Sequence, residues 1–297
     1  MGISLDGTQP LHDAQRKTPG GNGTYQSAAD AVKRLKNYGI KPDLLCTVTS
    51  KTAEKPLEVY RALRDFDTGW IQFIPIVQRS PGGKPVFESV SGEAYGRFLC
   101  DIFDEWVISD LGRTEVQLFA ETLRILAGGS AGLCWMAPVC GRALVVEQDG
   151  RVYSCDHYVD LEYRLGSIKD THLKELVNLP RQLIFGKNKR ENLPKRCLDC
   201  AWLAFCGGGC PKDRFAAPES GELPINHLCA GLKRFFEYTR PVMEFILILQ
   251  KNRFTPEAIM QELRKQLKEI WKNIGRNDPC PCGSGQKAKQ CCWHKRL

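Results

Sequence analysis

At 297 residues, with 42% hydrophobic and 26% charged content, the chain is long enough for a large core plus accessory domains, and its composition excludes a largely disordered protein. The formal net charge of +8 comes partly from Lys287, Lys289, Lys295 and Arg296; with no aromatic-interleaved basic stripe, it does not argue for nucleic-acid binding. The longest purely apolar run in the C-terminal part, Phe245 to Leu249, is far short of the roughly 20 residues that span a bilayer, so no membrane segment is expected.

The first third alternates strand and helix patterns. Residues 2–5 form a short apolar strand ending at Asp6-Gly7, and Thr24 is placed to cap a helix whose apolar positions are Ala28, Ala31, Val32, Leu35 and Tyr38, stopped by Gly39. Leu44 to Val48 reads as a buried strand, Lys55 to Phe66 as a helix, and Trp70 to Val77 as a strand bounded by Ser80-Pro81-Gly82-Gly83. Helices follow around Glu93 to Val107 and Val116 to Ala127. This order predicts an α/β fold with a parallel sheet. After residue 130 the chain turns cysteine-rich and turn-rich, with one hairpin predicted as Ala143 to Gln148, a two-residue turn Asp149-Gly150, and Arg151 to Ser154. Two helices come next: Leu232 to Gln250, interrupted by Pro241, and one opened by Thr255-Pro256-Glu257 with apolar Ile259, Leu263, Leu267, Ile270 and Ile274.

Fourteen cysteines in a chain that is neither small nor preceded by a signal peptide point to metal binding in the reducing cytoplasm rather than to a disulfide framework. The hairpin brings Cys140 and Cys155 to one open end, with Cys134 six residues upstream. Downstream, Cys197-x2-Cys200-x5-Cys206-x3-Cys210 places four thiols within fourteen residues, Gly207-Gly208-Gly209 allows a close wrap, and Cys229 is the eighth. Eight thiolates match two four-cysteine [4Fe–4S] clusters; two structural zincs or a disulfide set are the alternatives. Cys46 and Cys100, in a strand and a helix, read as core thiols.

The arrangement Cys140-x9-Gly150-x4-Cys155, then Cys197 to Cys210 and Cys229, resembles the seven-cysteine SPASM signature of radical S-adenosylmethionine (SAM) enzymes. With Cys134 added, it is most similar to the anaerobic sulfatase-maturating enzymes, which oxidise a Cys or Ser of a sulfatase to formylglycine. The resemblance implies one auxiliary cluster on Cys134, Cys140, Cys155 and Cys210, and another on Cys197, Cys200, Cys206 and Cys229. It implies Asp156 as the base that deprotonates the substrate thiol or hydroxyl, with His157 a structural neighbour. Residues 3–7 and 11–16 are similar to the family's fourth barrel strand and following loop, which makes Ser4 and Arg16 SAM contacts and places Val77 against the adenine. A protein or peptide substrate such as a sulfatase, and a reductant such as flavodoxin or ferredoxin, are implied as partners.

The family's radical-generating Cys-x3-Cys-x2-Cys does not occur in these 297 residues, so the chain is expected to be a truncated member, inactive alone, whose first strand lacks a neighbour. Other radical peptide modification and a non-catalytic electron-transfer or interaction module are the competing functions. The C-terminal Cys280-x-Cys282-x8-Cys291-Cys292 closely resembles the SEC-C zinc motif, which implies those four ligands with His294 as a substitute; a redox-active cysteine pair is the alternative. The expected architecture is the C-terminal part of a partial (β/α)6 barrel over residues 1–128, a SPASM domain over 129–232, a helical extension over 233–275 and the zinc tail over 276–297.

Overall fold

The computed structural model describes residues 1–80, 85–216, 223–280 and 286–290. In chain order the N-terminal elements are β1 (Gly2–Ser4), α1 (Gln9–Gln15), α2 (Tyr25–Asn37), β2 (Asp43–Val48), α3 (Pro56–Arg64), β3 (Trp70–Pro75), α4 (Gly92–Ser109), β4 (Glu115–Val116) and α5 (Gln117–Leu126). The strands form one sheet in the order β1-β2-β3-β4, every pairing parallel, with Ile3 opposite Leu44 and Cys46 opposite Phe73. The strand–helix alternation therefore delivers the parallel sheet it predicts, because parallel neighbours need a crossover and each helix supplies one. Cys46 and Cys100 are buried in its core as expected.

The cysteine-rich part contains β5 (Val145–Val146), β6 (Arg151–Tyr153), β7 (Arg164–Ser167), α6 (Leu173–Leu176), α7 (Pro180–Glu191), α8 (Lys195–Leu198), α9 (Leu203–Cys206), β8 (Arg214–Ala216) and β9 (Ile225–Asn226). It leads into α10 (Cys229–Lys251) and α11 (Pro256–Lys272).

Four expectations are corrected. The hairpin turn has three residues, not two: Val145 faces Tyr153, Val146 faces Val152, and the Glu147 N–H donates to Arg151 O at 2.9 Å. The loop is Gln148-Asp149-Gly150, with Gly150 at φ +89°, the left-handed residue that closes a three-residue turn. Pro241 does not interrupt α10, which is continuous; the proline sits on its exposed face, so the missing N–H falls on the solvent side while Phe235, Phe236, Thr239, Met243 and Ile246 stay buried. That helix also runs through residue 232 without a break. Tyr38 is not part of the buried face of α2 but its C-cap, 79% exposed. The segment after β1, read as a loop, forms α1, with Pro10 in its first turn.

The two parts of the chain are joined where α4 crosses α10. A Cβ added at Gly231 would lie 1.8 Å from Gly92 O, and one at Gly96 would lie 2.6 Å from Gly231 Cα. The helix backbones thus touch directly, and only glycine permits it. Beside this contact runs an aromatic chain. Phe103 of α4 meets Phe119 of α5 at 5.4 Å between ring centroids, and Phe119 stacks on Phe235 of α10 at 5.4 Å. Phe236 continues it to Trp202 at 5.9 Å and Phe205 at 5.4 Å, both between Cys200 and Cys206. The barrel core and the cysteine segment therefore share one apolar interior.

Gly231→Ala is expected to destabilise the chain by about 3 kcal/mol or more, since neither backbone can retreat without opening this core. Gly20→Ala, where only Thr18 Oγ1 stands near at 3.8 Å, is expected to be neutral. Urea midpoints of the two variants check the difference.

Candidate functional site

The eight cysteines from Cys134 to Cys229 are free thiols, as are all the described cysteines. Burial pushes most of them up: Cys155 to about 12, Cys206 and Cys210 to about 11, and Cys140, Cys197 and Cys229 above the ordinary thiol range. Within the two quartets that the resemblance implies, neighbouring thiols add to the effect. Cys134 raises Cys140 and Cys210, and Cys210 raises Cys155. Separately, Cys229, Cys200 and Cys197 raise Cys206, while Cys229 and Cys200 raise Cys197. Among the described residues, no three His, Cys, Asp or Glu side chains stand close enough to hold a single metal ion. The thiols of each quartet influence one another without converging on one point.

The backbone between the quartets is held by glycines. Gly207, Gly208 and Gly209 all have positive φ, and each is closed in by a neighbour. A Cβ at Gly207 would meet Met136 O at 2.4 Å, at Gly208 Leu193 Cδ2 at 2.3 Å, and at Gly209 Asn226 Nδ2 at 2.3 Å. The Gly208 N–H donates to Cys206 Sγ at 3.3 Å.

Two cations support the same region, and sequence reasoning missed both. Lys189 of α7 is fully buried, and its ammonium donates to Cys134 O at 3.0 Å, Trp135 O at 2.9 Å and Ala137 O. Desolvation lowers its pKa to about 8. Arg214 of β8 donates to Gly208 O at 3.1 Å and Gly209 O at 3.3 Å. Both residues look like ordinary surface charges in the sequence; α7, polar almost all round, offers no apolar stripe to betray a buried lysine.

Asp156 lies beside this centre, exposed, and accepts a hydrogen bond from the Cys155 thiol at 3.1 Å, which holds its carboxyl below the usual range. His157 is likewise exposed. Tyr158, in contrast, is pushed up by burial and by the negative charge that Cys210, Tyr163, Cys155 and Cys140 can carry, and its ring packs on Tyr163 at 4.7 Å and Phe185 at 5.3 Å between centroids.

Ser4 and Arg16 come together in the lining of a cavity of about 550 Å³, with His12, Gln15, Thr24 and Ala28. Val77 is not brought there; it is buried in the core beyond the end of β3, its carbonyl accepting from Lys212 Nζ at 3.2 Å. Arg16 is partly committed, since its Nε donates at 2.5 Å to fully buried Asp6, which also accepts from Thr47 N–H at 2.7 Å and Oγ1 at 2.8 Å. Buried His12 accepts the Asp6 N–H on Nδ1 at 3.2 Å, and its Nε2 meets Thr24 Oγ1 at 3.1 Å. Neither Asp6 nor His12 was singled out by motif, although Asp6-Gly7 marks the strand end.

In the tail, Cys280 is buried with Trp271 and Ala288, and its N–H donates to Gln286 O at 2.8 Å. The other expected zinc ligands, Cys282, Cys291 and Cys292, lie outside the described residues, as do His294 and the Pro81–Gly83 turn.

The SPASM family, an iron-sulfur cluster-binding domain, matches residues 134–201, and the SEC-C motif matches residues 276–293. The serine-type anaerobic sulfatase-maturating enzyme of Bacteroides thetaiotaomicron is 38% identical over 279 residues, covering 89% of this chain and 67% of that protein. The cysteine-type enzyme of Clostridium perfringens is 33% identical over 244 residues, covering 81% of this chain and 65% of its own length. The solved structure of native anSMEcpe with bound AdoMet and the Kp18Cys peptide superposes with a TM-score of 0.73 at 32% identity, covering 82% of this chain and 68% of that one. The chain thus spans about two thirds of the relatives it matches.

Burial holds His12 below the ordinary histidine value of about 6.5, against the raising effect of Asp6. The unfolded chain therefore binds the proton more readily, so the stability contributed by neutral His12 is full above about pH 6.5 and lost as pH falls through the folded value. Urea midpoints between about pH 7 and about pH 5 are expected to fall more steeply for the native chain than for His12→Asn, which keeps an acceptor but does not titrate. Parallel profiles would show that His12 is not the group responsible.

Proposed function

Since the chain belongs to the anaerobic sulfatase-maturating enzyme family, we propose that it forms the electron-accepting part of an oxidation of a protein-borne Cys or Ser to formylglycine. What supports this reading is the match of residues 134–201 to an iron–sulfur cluster-binding domain, together with eight free thiols from Cys134 to Cys229 and Asp156 accepting from Cys155. Soft thiolates suit iron–sulfur clusters, and ligands spread around a core of four irons need not converge as they must on one zinc. The glycine turn that admits no Cβ fits a backbone wrapped closely about such a group. We assign Cys134, Cys140, Cys155 and Cys210 to one [4Fe–4S] cluster and Cys197, Cys200, Cys206 and Cys229 to the other.

Loss of a hydrogen atom from carbon, a proton from sulfur or oxygen and one further electron turns an alcohol into the aldehyde and a thiol into the thioaldehyde, which water hydrolyses to the aldehyde with release of hydrogen sulfide. When bound, the clusters supply one-electron acceptors. Asp156 takes the proton: a Cys155 committed as thiolate has no hydrogen to donate, which frees the carboxylate oxygen that now accepts from it. Ser4 and Arg16 hold the polar end of SAM in the cavity they share, with the Asp6 carboxylate and His12 fixing that wall. The substrate is a peptide segment, such as that of a sulfatase, lying between sheet and thiols. A flavodoxin or ferredoxin serves as reductant. The cleavage of SAM belongs to a Cys-x3-Cys-x2-Cys site that these residues do not include. In the tail, Cys280, Cys282, Cys291 and Cys292 hold a structural zinc, supported by the buried position of Cys280 against Trp271. A reducing cytoplasm suits the free thiols, and among the described residues no helix is long and apolar enough to cross a membrane. We keep the division at residues 128, 232 and 275, with the middle two units sharing α10.

Anaerobic reconstitution with iron and sulfide is expected to load about eight irons, and Cys210→Ser and Cys229→Ser each to lose the spectroscopic signature of a different cluster. Loss of the same signature in both variants would break the assignment. Supplied with a radical SAM segment carrying Cys-x3-Cys-x2-Cys, the chain is expected to yield formylglycine in a sulfatase peptide, detected by mass. Asp156→Asn is expected to slow this by about 100-fold or more. An unchanged target Cys and Ser would count against sulfatase maturation.

A further inference from the structure

Several cations lie near the thiols, and most face one quartet. Lys189, for example, donates to the carbonyls of Cys134, Trp135 and Ala137, all upstream of Cys140. Arg214 differs in position. It stands on β8 opposite Asn226 of β9, three residues before Cys229. From there its guanidinium reaches back to the turn between Cys206 and Cys210, donating from Nε to Gly208 O at 3.1 Å and from Nη2 to Gly209 O at 3.3 Å. Cys206 belongs to one quartet and Cys210 to the other, so the bonded turn is the covalent link between them. A Cβ on Gly208 would come within 3.1 Å of Arg214 Nη2, which leaves no room for a side chain between guanidinium and turn.

We propose that Arg214 is a positioning residue shared by the two clusters: it clamps the Gly208-Gly209 turn that joins them and raises the reduction potential of both with one fixed positive charge. This rests on the two-cluster reading above. The physical basis is that reduction adds an electron to each centre, so a nearby cation favours the reduced form, and partial burial strengthens the effect. The guanidinium stays charged at working pH. By drawing the Gly208 and Gly209 carbonyls to itself, the fork also holds the glycine whose own N–H, on its other peptide, donates to Cys206 Sγ at 3.3 Å, and hydrogen bonds to cluster sulfurs act on potential in the same direction. A single residue thereby keeps the two acceptors within reach of the same electron.

The test is an anaerobic dithionite titration of the reconstituted full chain, followed by EPR, with iron and sulfide counted in parallel. Arg214→Gln is expected to lower the reduced-to-oxidised ratio of both clusters about tenfold at fixed potential, equivalent to about 59 mV for a one-electron couple. Arg214→Lys, which keeps the charge, is expected to leave both ratios near those of the native chain. Unmoved ratios in a fully loaded Arg214→Gln, movement of one cluster alone, or an equal drop in Arg214→Lys would each overturn the proposal. If Arg214→Gln loses its iron, Arg214→Lys decides by the same criterion, and loss of iron in both reduces the residue to a purely structural clamp and overturns the shared charge. Failure of the native chain itself to take up two clusters would instead overturn the underlying reading.

Discussion

The contact of Gly231 with Gly92 and Gly96 decides where everything downstream can lie. It places the first turn of α10, and with it Cys229, directly on the N-terminal turn of α4. A side chain there would force the helices apart and separate the aromatic faces of Phe103, Phe119 and Phe235 that bury between them. The sheet is thereby coupled to the cysteine segment through packed backbone rather than through a linker. A chemistry that needs a substrate atom near both a SAM cavity and an electron acceptor requires such rigidity, because small displacements at either end change the reacting distance.

Around the thiols the main physical problem is desolvation. Burial raises the pKa of six of the eight, so each resists becoming the thiolate that binds metal until the metal itself compensates. Lys189 and Arg214 ease the same problem from the other side. Each brings a positive charge into the protein and satisfies it with backbone carbonyls, of the Cys134–Ala137 segment in one case and of the glycine turn in the other. The carbonyls find donors, the cations find acceptors, and the thiols gain a favourable field. The Asp6–Arg16 pair beside β1 works similarly, with Thr47 and the buried charge holding the strand end that opens the cavity.

Much of this was legible in the amino-acid order. Cysteine spacing identified the eight thiols, and the resemblance it supported named the family. The hydrophobic periods of α2, α3, α4 and α11 located those helices, because long amphipathic elements carry their burial pattern locally. The short elements escaped: β4, β7 and α6 to α9 have from two to twelve residues, too few or too polar to show a period, and they exist because neighbours hold them. The hairpin register slipped by one because Asp-Gly serves both two- and three-residue turns, and only pairing with β7 and the geometry at Gly150 choose between them.

The sequence by itself determined the ligand chemistry, the parallel strand–helix alternation and the family, since thiol spacing and apolar period are local properties of the chain. Tertiary structure alone decided that Lys189 is buried, that Arg214 reaches the Gly208-Gly209 turn, that Pro241 lies harmlessly on an exposed face, and that Gly231 meets Gly92 and Gly96 from far downstream in sequence. Each of these depends on which residues are brought within a few ångströms by long-range packing. A charged or small residue carries no mark of its eventual neighbours.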